Sequence, residues 1–335
     1  MKRLALLLCF ALVGFAAAAQ MMPDSTVQFV AGWNPGDKQV YDVSRTEYKV
    51  SGKDTTDVEK FTQIMGIEVL SKKEDTYQLC ITYQDVYYSD PQMNALYKIM
   101  TDTSGDMKVL ITTDKFGAVQ TVDNVQELID YQLKVVDPFM EMMDNEPGEK
   151  MDPEMRASLR EYLVKSLSDV NLITQSINDR IGKMLYFHGS RLDMNQKYEV
   201  KYQTSSIMPG VDTPMTANGE IWIDKQYTDS YSAVGHIYSV ITQEDLSHMV
   251  VEYIRALLTM SGMTQEEAQT EIDNSKETIE QLQLNSEESV TLEVHMDTGW
   301  PLNLYYDKYV YTTVEGVTTT KEDKMAVNII LQNQL

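Results

Sequence analysis

Three kinds of side chain in this sequence invite chemistry: a carboxylate in a glycine turn, a set of thioethers and a set of phenols. Asp297-Thr298-Gly299 has the form of a carboxylate held at a tight turn. Two such groups sharing one proton can activate water for peptide hydrolysis. The mate would have to be Asp102-Thr103-Ser104, where serine stands in the glycine position, and His295 and Trp300 flank the first motif. Asp-Thr-Gly-Trp-Pro is also an ordinary hairpin turn, in which Asp and Gly are the usual choices. The turn is the better reading.

Metal chemistry finds no better footing. The four histidines, His188, His236, His248 and His295, stand at no zinc spacing, and H-E-x-x-H is absent. Asp102, Ser104 and Asp106 imitate the start of a calcium loop, but Met107 occupies the glycine position and Thr113 that of the bidentate glutamate. There is no G-x-S-x-G, no phosphate-binding glycine loop and no dinucleotide fingerprint. Paired acids for glycoside hydrolysis are not readable from sequence, because their separation is a property of the fold. The acids most simply make a solvated surface. The sequence therefore assigns no catalytic residue, no metal and no cofactor, and the chain is not expected to be an enzyme, with a hydrolase as the third reading.

Methionine is more informative. The chain has 21 methionines against 7 phenylalanines, with a cluster at Met140, Met142, Met143, Met151 and Met155. Thioethers there would bind soft Cu(I), line an adaptable apolar pocket, or fill a core. The 20 tyrosines fall often on strands, as at Tyr83, Tyr87, Tyr88, Tyr305, Tyr306, Tyr309 and Tyr311. They would stack on sugars, or simply serve as amphipathic strand residues with wet hydroxyls; the second is the plainer reading.

The elements that must position these groups can be read from periodicity. Residues 38–50, 58–70 and 75–88 read as antiparallel strands, the third with Tyr77, Leu79, Ile81, Tyr83 and Tyr87 on one face. A short helix over Pro91 to Met100 precedes a hairpin of Met107–Thr113 and Ala118–Val122. Asp123 with Gln126 predicts a capped helix to about Val136, with Pro138 kinking or ending it. Asp152-Pro153 predicts another start, with Met155, Leu159, Tyr162 and Leu163 at helical spacing. A third helix, Asp169 to Phe187, carries Val170, Ile173, Ile177, Ile181 and Met184 and stops at Gly189. Strands resume at 197–205, 217–225 and 229–241. A helix with Leu246, Met249, Tyr253 and Leu257 comes after them, then one opened by the capping box Thr264/Glu267 with Ala268, Ile272, Ile279 and Leu282. The last strands are 289–296, 301–312 and 323–332.

Composition and charge bound the function classes. Of 335 residues, 43% are hydrophobic and 24% charged, a globular balance that excludes a disordered or fibrous chain. Acids number 51 against 28 bases, a net charge of −23. That field repels phosphate backbones and anionic membrane surfaces, so nucleic-acid binding is not expected. The N-terminus pairs Lys2 and Arg3 with an apolar run from Leu4 to Phe15 and the small residues Ala17-Ala18-Ala19. This is a secretory signal peptide pattern, residues 1–19, with Gln20 the first mature residue. The run is too short to span a membrane. Leu8 before Cys9 argues against lipidation there. Cys80 then remains as the single cysteine, without an internal disulfide, and reads as a small buried hydrophobe and not a nucleophile.

Residues 20–335 read as a single α+β domain with weak internal duplication. Pseudo-halves of about 33–122 and 195–332 carry helical insertions at about 123–188 and 246–283. Asp37-Lys38-Gln39-Val40-Tyr41-Asp42-Val43 matches Asn195-Gln196-Lys197-Tyr198-Glu199-Val200, and Asp75-Thr76-Tyr77 matches Asp229-Ser230-Tyr231. If these are repeats, the halves should pair into one sheet. The order of strands, helical insertion and strands resembles the lipoprotein-carrier (LolA-like) half-barrel, whose curved antiparallel sheet is covered by helices with apolar ligands between. The turn Gly32-Trp33-Asn34-Pro35-Gly36-Asp37 leading into a strand also resembles β-rich exported proteins of unknown function from Gram-negative bacteria.

The expected fold is a large curved antiparallel β-sheet, a half-open barrel, with helices over its concave face. The resemblance implies non-catalytic binding of an apolar or amphipathic ligand, such as a lipid, in the cell envelope, periplasmic or extracellular, without a membrane span. Leu128, Tyr131, Phe139, Met140 and Met143 are the candidate lid residues. The alternative is a structural module whose sheet face or loops contact another envelope protein. An apolar cavity separates the two readings, since a carrier needs one.

Overall fold

The computed structural model describes residues 25–51, 54–144, 152–204, 215–224, 231–276, 279, 282–314 and 317–330. The proposed leader and Met151 lie outside the described residues. Eleven strands form one antiparallel sheet. The first run comprises β2 (Lys38–Ser51), β3 (Asp54–Lys72), β4 (Thr76–Tyr88), β5 (Lys108–Asp114) and β6 (Val119–Val122). The second comprises β8 (Tyr198–Thr204), β9 (Met215–Ile223), β10 (Ser232–Ile241), β11 (Gln283–His295), β12 (Pro301–Val314) and β13 (Val317–Ile329). The spatial order is β6-β5-β4-β3-β2-β13-β12-β11-β10-β9-β8. Each run is a meander, and the two join where β2 pairs with β13, Val43 opposite Val327 and Arg45 opposite Met325. β6 and β8 are the edges, so the sheet is open. It is also curved: Tyr88 on β4 and Tyr202 on β8 line the same cleft.

Alternation dictates the faces. Tyr41 and Val43, Met65, Ile67 and Val69, Leu79 and Ile81, Val290, Leu292 and Val294, and Val327 all turn to the concave side and are buried. Among the described residues, seven helices sit in the connections. α1 (Pro91–Ser104) comes after β4, with Asp90 capping Gln92 N and Met93 N and proline in the first turn. After β6 come α2 (Val125–Leu133), α3 (Val136–Asp144), α4 (Pro153–Leu167) and α5 (Val170–Ile177), the last continuing into a π-helical segment, Asn178–Gly182. α6 (Gln243–Met260) and α7 (Gln265–Asn274) lie between β10 and β11, α7 opened by the predicted Thr264/Glu267 capping box.

One end of the half-barrel is sealed by the N-terminal segment. β1 (Thr26–Gln28) pairs with β7 (Arg191–Asp193). The chain then crosses the base, with hydrogen bonds from Phe29 N to Ser190 O, Ala31 N to Phe116 O and Gly32 N to Thr298 O. Trp33 stacks on Trp300 at 4.7 Å between ring centres and meets Tyr77 and His188. Gly299, at φ +71°, lets the β11–β12 turn approach so closely that a Cβ would lie 2.2 Å from Val30 O. Asp297-Thr298-Gly299 is thus a docking turn, while Asp102 sits in α1.

Several boundaries differ from the sequence reading, each for a local reason. Asp123 does not cap the helix after it. Its carboxylate accepts from Gln78, Thr112 and Thr121, and the cap position falls to Asn124, whose side chain bonds Leu110 N and Lys108 O. Gln126 bonds Asp130 and makes no capping box. α2 ends at Leu133, and Pro138 falls in the first turn of α3, where its missing N–H costs nothing. Tyr87 leaves the face of Tyr83: Asp85, at φ +50°, sits in a bulge of β4 that reverses the alternation, turning Tyr87 out and Tyr88 in. Val170 is 52% exposed, because the buried stripe begins one turn later at Ile173. Met155 on α4 is 62% exposed, and no residue of that helix is fully buried. Cys80 is half-buried on the opposite face from Leu79 and Ile81, and burial pushes its thiol pKa up, away from the reactive thiolate.

Candidate ligand cleft

The concave face changes character along the strands. Nearest the base, cross-strand neighbours Val43, Val327, Leu304 and Leu292 form an apolar row. One step further, Phe61, Arg45, Met325, Tyr306, Val290 and Ile237 form a mixed row. One step beyond that, Glu59, Glu47, Asp323, Lys308 and Glu288 form a charged one. Over the last two rows the helices stop filling the sheet, and a cleft of about 1030 Å³ opens. Its floor includes Val43, Met65, Tyr83, Ile237, Val290 and Val327; its roof is α5, the π segment and the two residues after it, which contribute Leu172, Gln175, Arg180, Ile181, Lys183 and Met184. The size is at the upper end of small-molecule sites, and an apolar floor with a few polar groups is their usual lining.

Charge at the mouth is organised in pairs. Arg45 donates Nε and Nη2 to the two carboxylate oxygens of Asp323, both at 2.8 Å, and Nη2 also meets Glu47 at 2.7 Å. The bond to Asp323 holds the guanidinium pKa above its ordinary value. Lys321 pairs with the other oxygen of Glu47 at 2.8 Å. Lys183 lies 4.6 Å above the Tyr306 ring and 3.7 Å from Glu288, which also accepts from Tyr306 Oη. The Asp90 carboxylate is occupied in capping α1. Arg180 has no ion pair among the described residues, and its charge acts on the phenols of Tyr83 and Tyr88, opposing the upward pull of their burial.

The five lid candidates lie elsewhere. Leu128 is in the main core, Met140 is buried, and Tyr131, Phe139 and Met143 are half-buried on α2 and α3; none lines the cleft. α2 packs against α5, and α5 with the π segment faces the open space instead. The residues that do line it were visible only as separate signals. The apolar stripe of 173–184 marked the helix, but its polar flank, Asn171, Thr174, Gln175 and Asn178, faces the cleft. The cleft's methionines are Met65, Met93, Met184 and Met325, outside the cluster singled out by composition.

Other titratable groups lie away from this space. His188 is fully buried at the base, its imidazole against Gly299 O at 2.8 Å, and burial pushes its pKa down to about 4. His236 stands on the convex face between Asp224, at 2.9 Å, and Thr291, at 3.1 Å, stacked on Trp222. Among the described residues there is no group of three or more metal-ligating side chains, and no helix is long and apolar enough to cross a membrane.

No family model matches the chain, and no curated protein does. Among solved structures it is similar to lipovitellin, in a study of that protein's lipid–protein interactions, at 6% identity and a TM-score of 0.40 over 89% of this chain. The chain spans 25% of the lipovitellin chain. It is similar to DynF from the dynemicin biosynthesis pathway of Micromonospora chersina, at 5% identity over 96% of both chains, with a TM-score of 0.19. It is also similar to Ail, the attachment invasion locus protein of Yersinia pestis, at 5% identity over 89% of this chain and all of that one, with a TM-score of 0.16. These scores are too low for a shared fold, and any functional reading rests on this chain's own residues.

Proposed function

We propose that this is an exported binding protein, non-catalytic, that holds an amphipathic ligand such as a lipid between its curved sheet and α5. The observation that carries the reading is the unfilled cleft itself, apolar at depth and charged at its mouth, on a sheet whose base is otherwise close-packed. Polarity graded in that direction suits a molecule with an apolar body and a polar end. Burying the apolar body would contribute about 25 cal/mol per Å², less the cost of ordering the ligand. The basic, apolar and small-residue succession of residues 1–19 supports export into the cell envelope or beyond.

Mass spectrometry of organic extracts tests this. The protein is purified without detergent from an exporting host, and the released chain is expected to begin at Gln20. A co-purified amphiphile at near-stoichiometric amount is the expected result. Met325→Trp, which places an indole in the cleft, should reduce it severalfold. A clean extract, repeated after incubation with envelope lipids, would transfer the assignment to a protein-contact module.

A further inference from the structure

Resting on that reading, we infer that the ligand's polar end is anionic, a phosphate or carboxylate, and that it is bound under the π segment by Arg180 together with the hydroxyls of Tyr83 and Tyr88. Three observations converge on this.

The first is the accounting of charge. In a chain of net charge −23, the acids of the mouth are largely engaged: Asp323 and Glu47 by Arg45, Glu288 by Lys183 and Tyr306, Asp90 by the N-terminus of α1. Glu59 stands at the rim without an ion pair among the described residues. Arg180 is exposed, faces the cleft from the roof and is without an ion pair among the described residues; of the lining cations only Lys60, out at the rim, shares that state among the described residues.

The second is the backbone that places it. A π turn widens the helix by one residue and rotates the residues beyond it by roughly 100°. Such turns are rare and concentrate at functional sites, because they cost hydrogen-bond geometry that packing must offset. Here the turn lies between Ile177 and Lys183, in the roof of the cleft, and Arg180 is at its middle. The third is the chemistry of the donors. A guanidinium donates and never accepts, and phenols readily donate to an anion. Both phenols feel the charge of Arg180. A planar fork and two phenols lining one cleft supply donors suited to the oxygens of a phosphate or carboxylate. The apolar body of the ligand would then lie along Met325, Val290 and Ile237.

Calorimetry with three probes tests the inference: dodecyl phosphate, dodecyl glucoside, whose head carries no charge, and inorganic phosphate, the amphiphiles below their micellar concentrations. Dodecyl phosphate should bind about tenfold tighter than dodecyl glucoside, the gain expected for a charge-assisted contact. Arg180→Gln should bring that ratio near one by weakening dodecyl phosphate, and Arg180→Lys should retain part of it. Equal affinities in the unaltered protein, or a preference that survives in Arg180→Gln, would overturn the anionic head and leave the binding reading intact. Inorganic phosphate binding as tightly as dodecyl phosphate would overturn it too, by showing a free-anion site with no use for the tail. If neither amphiphile binds, the binding function falls with the inference.

Discussion

At the base of the sheet the inward positions carry Tyr41, Val69, Leu79 and Val294, with Trp33, Trp300 and His188 closed over them. Six residues further along β2 the inward position is Glu47, and its neighbours across the sheet are Asp323, Lys308 and Glu288. The strands are the same and the alternation is the same; what differs is what the side chains meet. Contacts at the base are ring on ring and backbone on backbone, so there is little room for relaxation. At the mouth the side chains meet one another as ion pairs and leave space above themselves. Rigidity at one end lets the other stay unfilled, the usual division between scaffold and site.

The sharpest way to break this comparison is a pair of glycine substitutions. Gly299 and Gly105 both have φ +71°, but a Cβ at Gly299 meets Val30 O at 2.2 Å, whereas nothing lies within 4 Å of one at Gly105. Gly105→Ala should cost about 2 kcal/mol, the backbone penalty alone, because φ +71° with ψ −170° is a conformation nearly confined to glycine. Gly299→Ala should cost about 3 kcal/mol or more, since a backbone carbonyl must move. Equal losses in denaturant melts would mean the base is not tightly docked.

Acid should act next most strongly, and at the base. His188 is held neutral in the folded chain, with its pKa lowered by burial to about 4 from 6.5. The unfolded chain takes up the proton first as pH falls. Stability should therefore be level, as far as this group is concerned, above about pH 6.5 and decline towards pH 4, by roughly 3 kcal/mol in total. His188→Asn should flatten that part of the profile. A profile identical in the variant would place the acid sensitivity elsewhere.

Ion pairs at the mouth should matter less. Arg45→Met should cost about 1 kcal/mol, because the guanidinium is partly solvated and screened. Pairing it with Asp323→Asn in a double-mutant cycle should recover part of the loss. A cost as large as that of Gly299→Ala would make the mouth as integral to folding as the base. The smallest effect belongs to Tyr131, whose hydroxyl is buried without a hydrogen-bond partner among the described residues. Tyr131→Phe should leave the melting temperature unchanged or raise stability by up to about 1 kcal/mol, since it removes an unsatisfied polar group. A clear loss would reveal a partner for that hydroxyl.

The same contrast explains which strands were legible. β4 and β5 were readable nearly to their ends, because apolar and polar residues alternate along them. β11 was expected from 289 and begins at Gln283; β13 was expected from 323 and begins at Val317. The missing stretches lie towards the mouth, where Ser286 and Glu288 on β11 and Lys321 on β13 face inward. With polar residues on both faces, the period-two signal disappears although the ladder hydrogen bonds continue. That the five candidate lid residues lie outside the cleft has a related reason: a Met-rich helix advertises apolar surface, whereas α5 over the cleft presents Asn171, Thr174 and Gln175 to it.

The amino-acid sequence by itself determined the alternation of strands and helices, most element cores and the capping of α4 and α7, because these depend on neighbours within a turn or two along the chain. Tertiary structure alone decided where the cleft lies and what lines it. Its walls come from strands β2 to β13 brought together by the joining of β2 to β13, and no local pattern encodes that Arg45 will face Asp323 across 278 residues. The placing of Arg180 depends on a single widened turn, Asn178–Gly182.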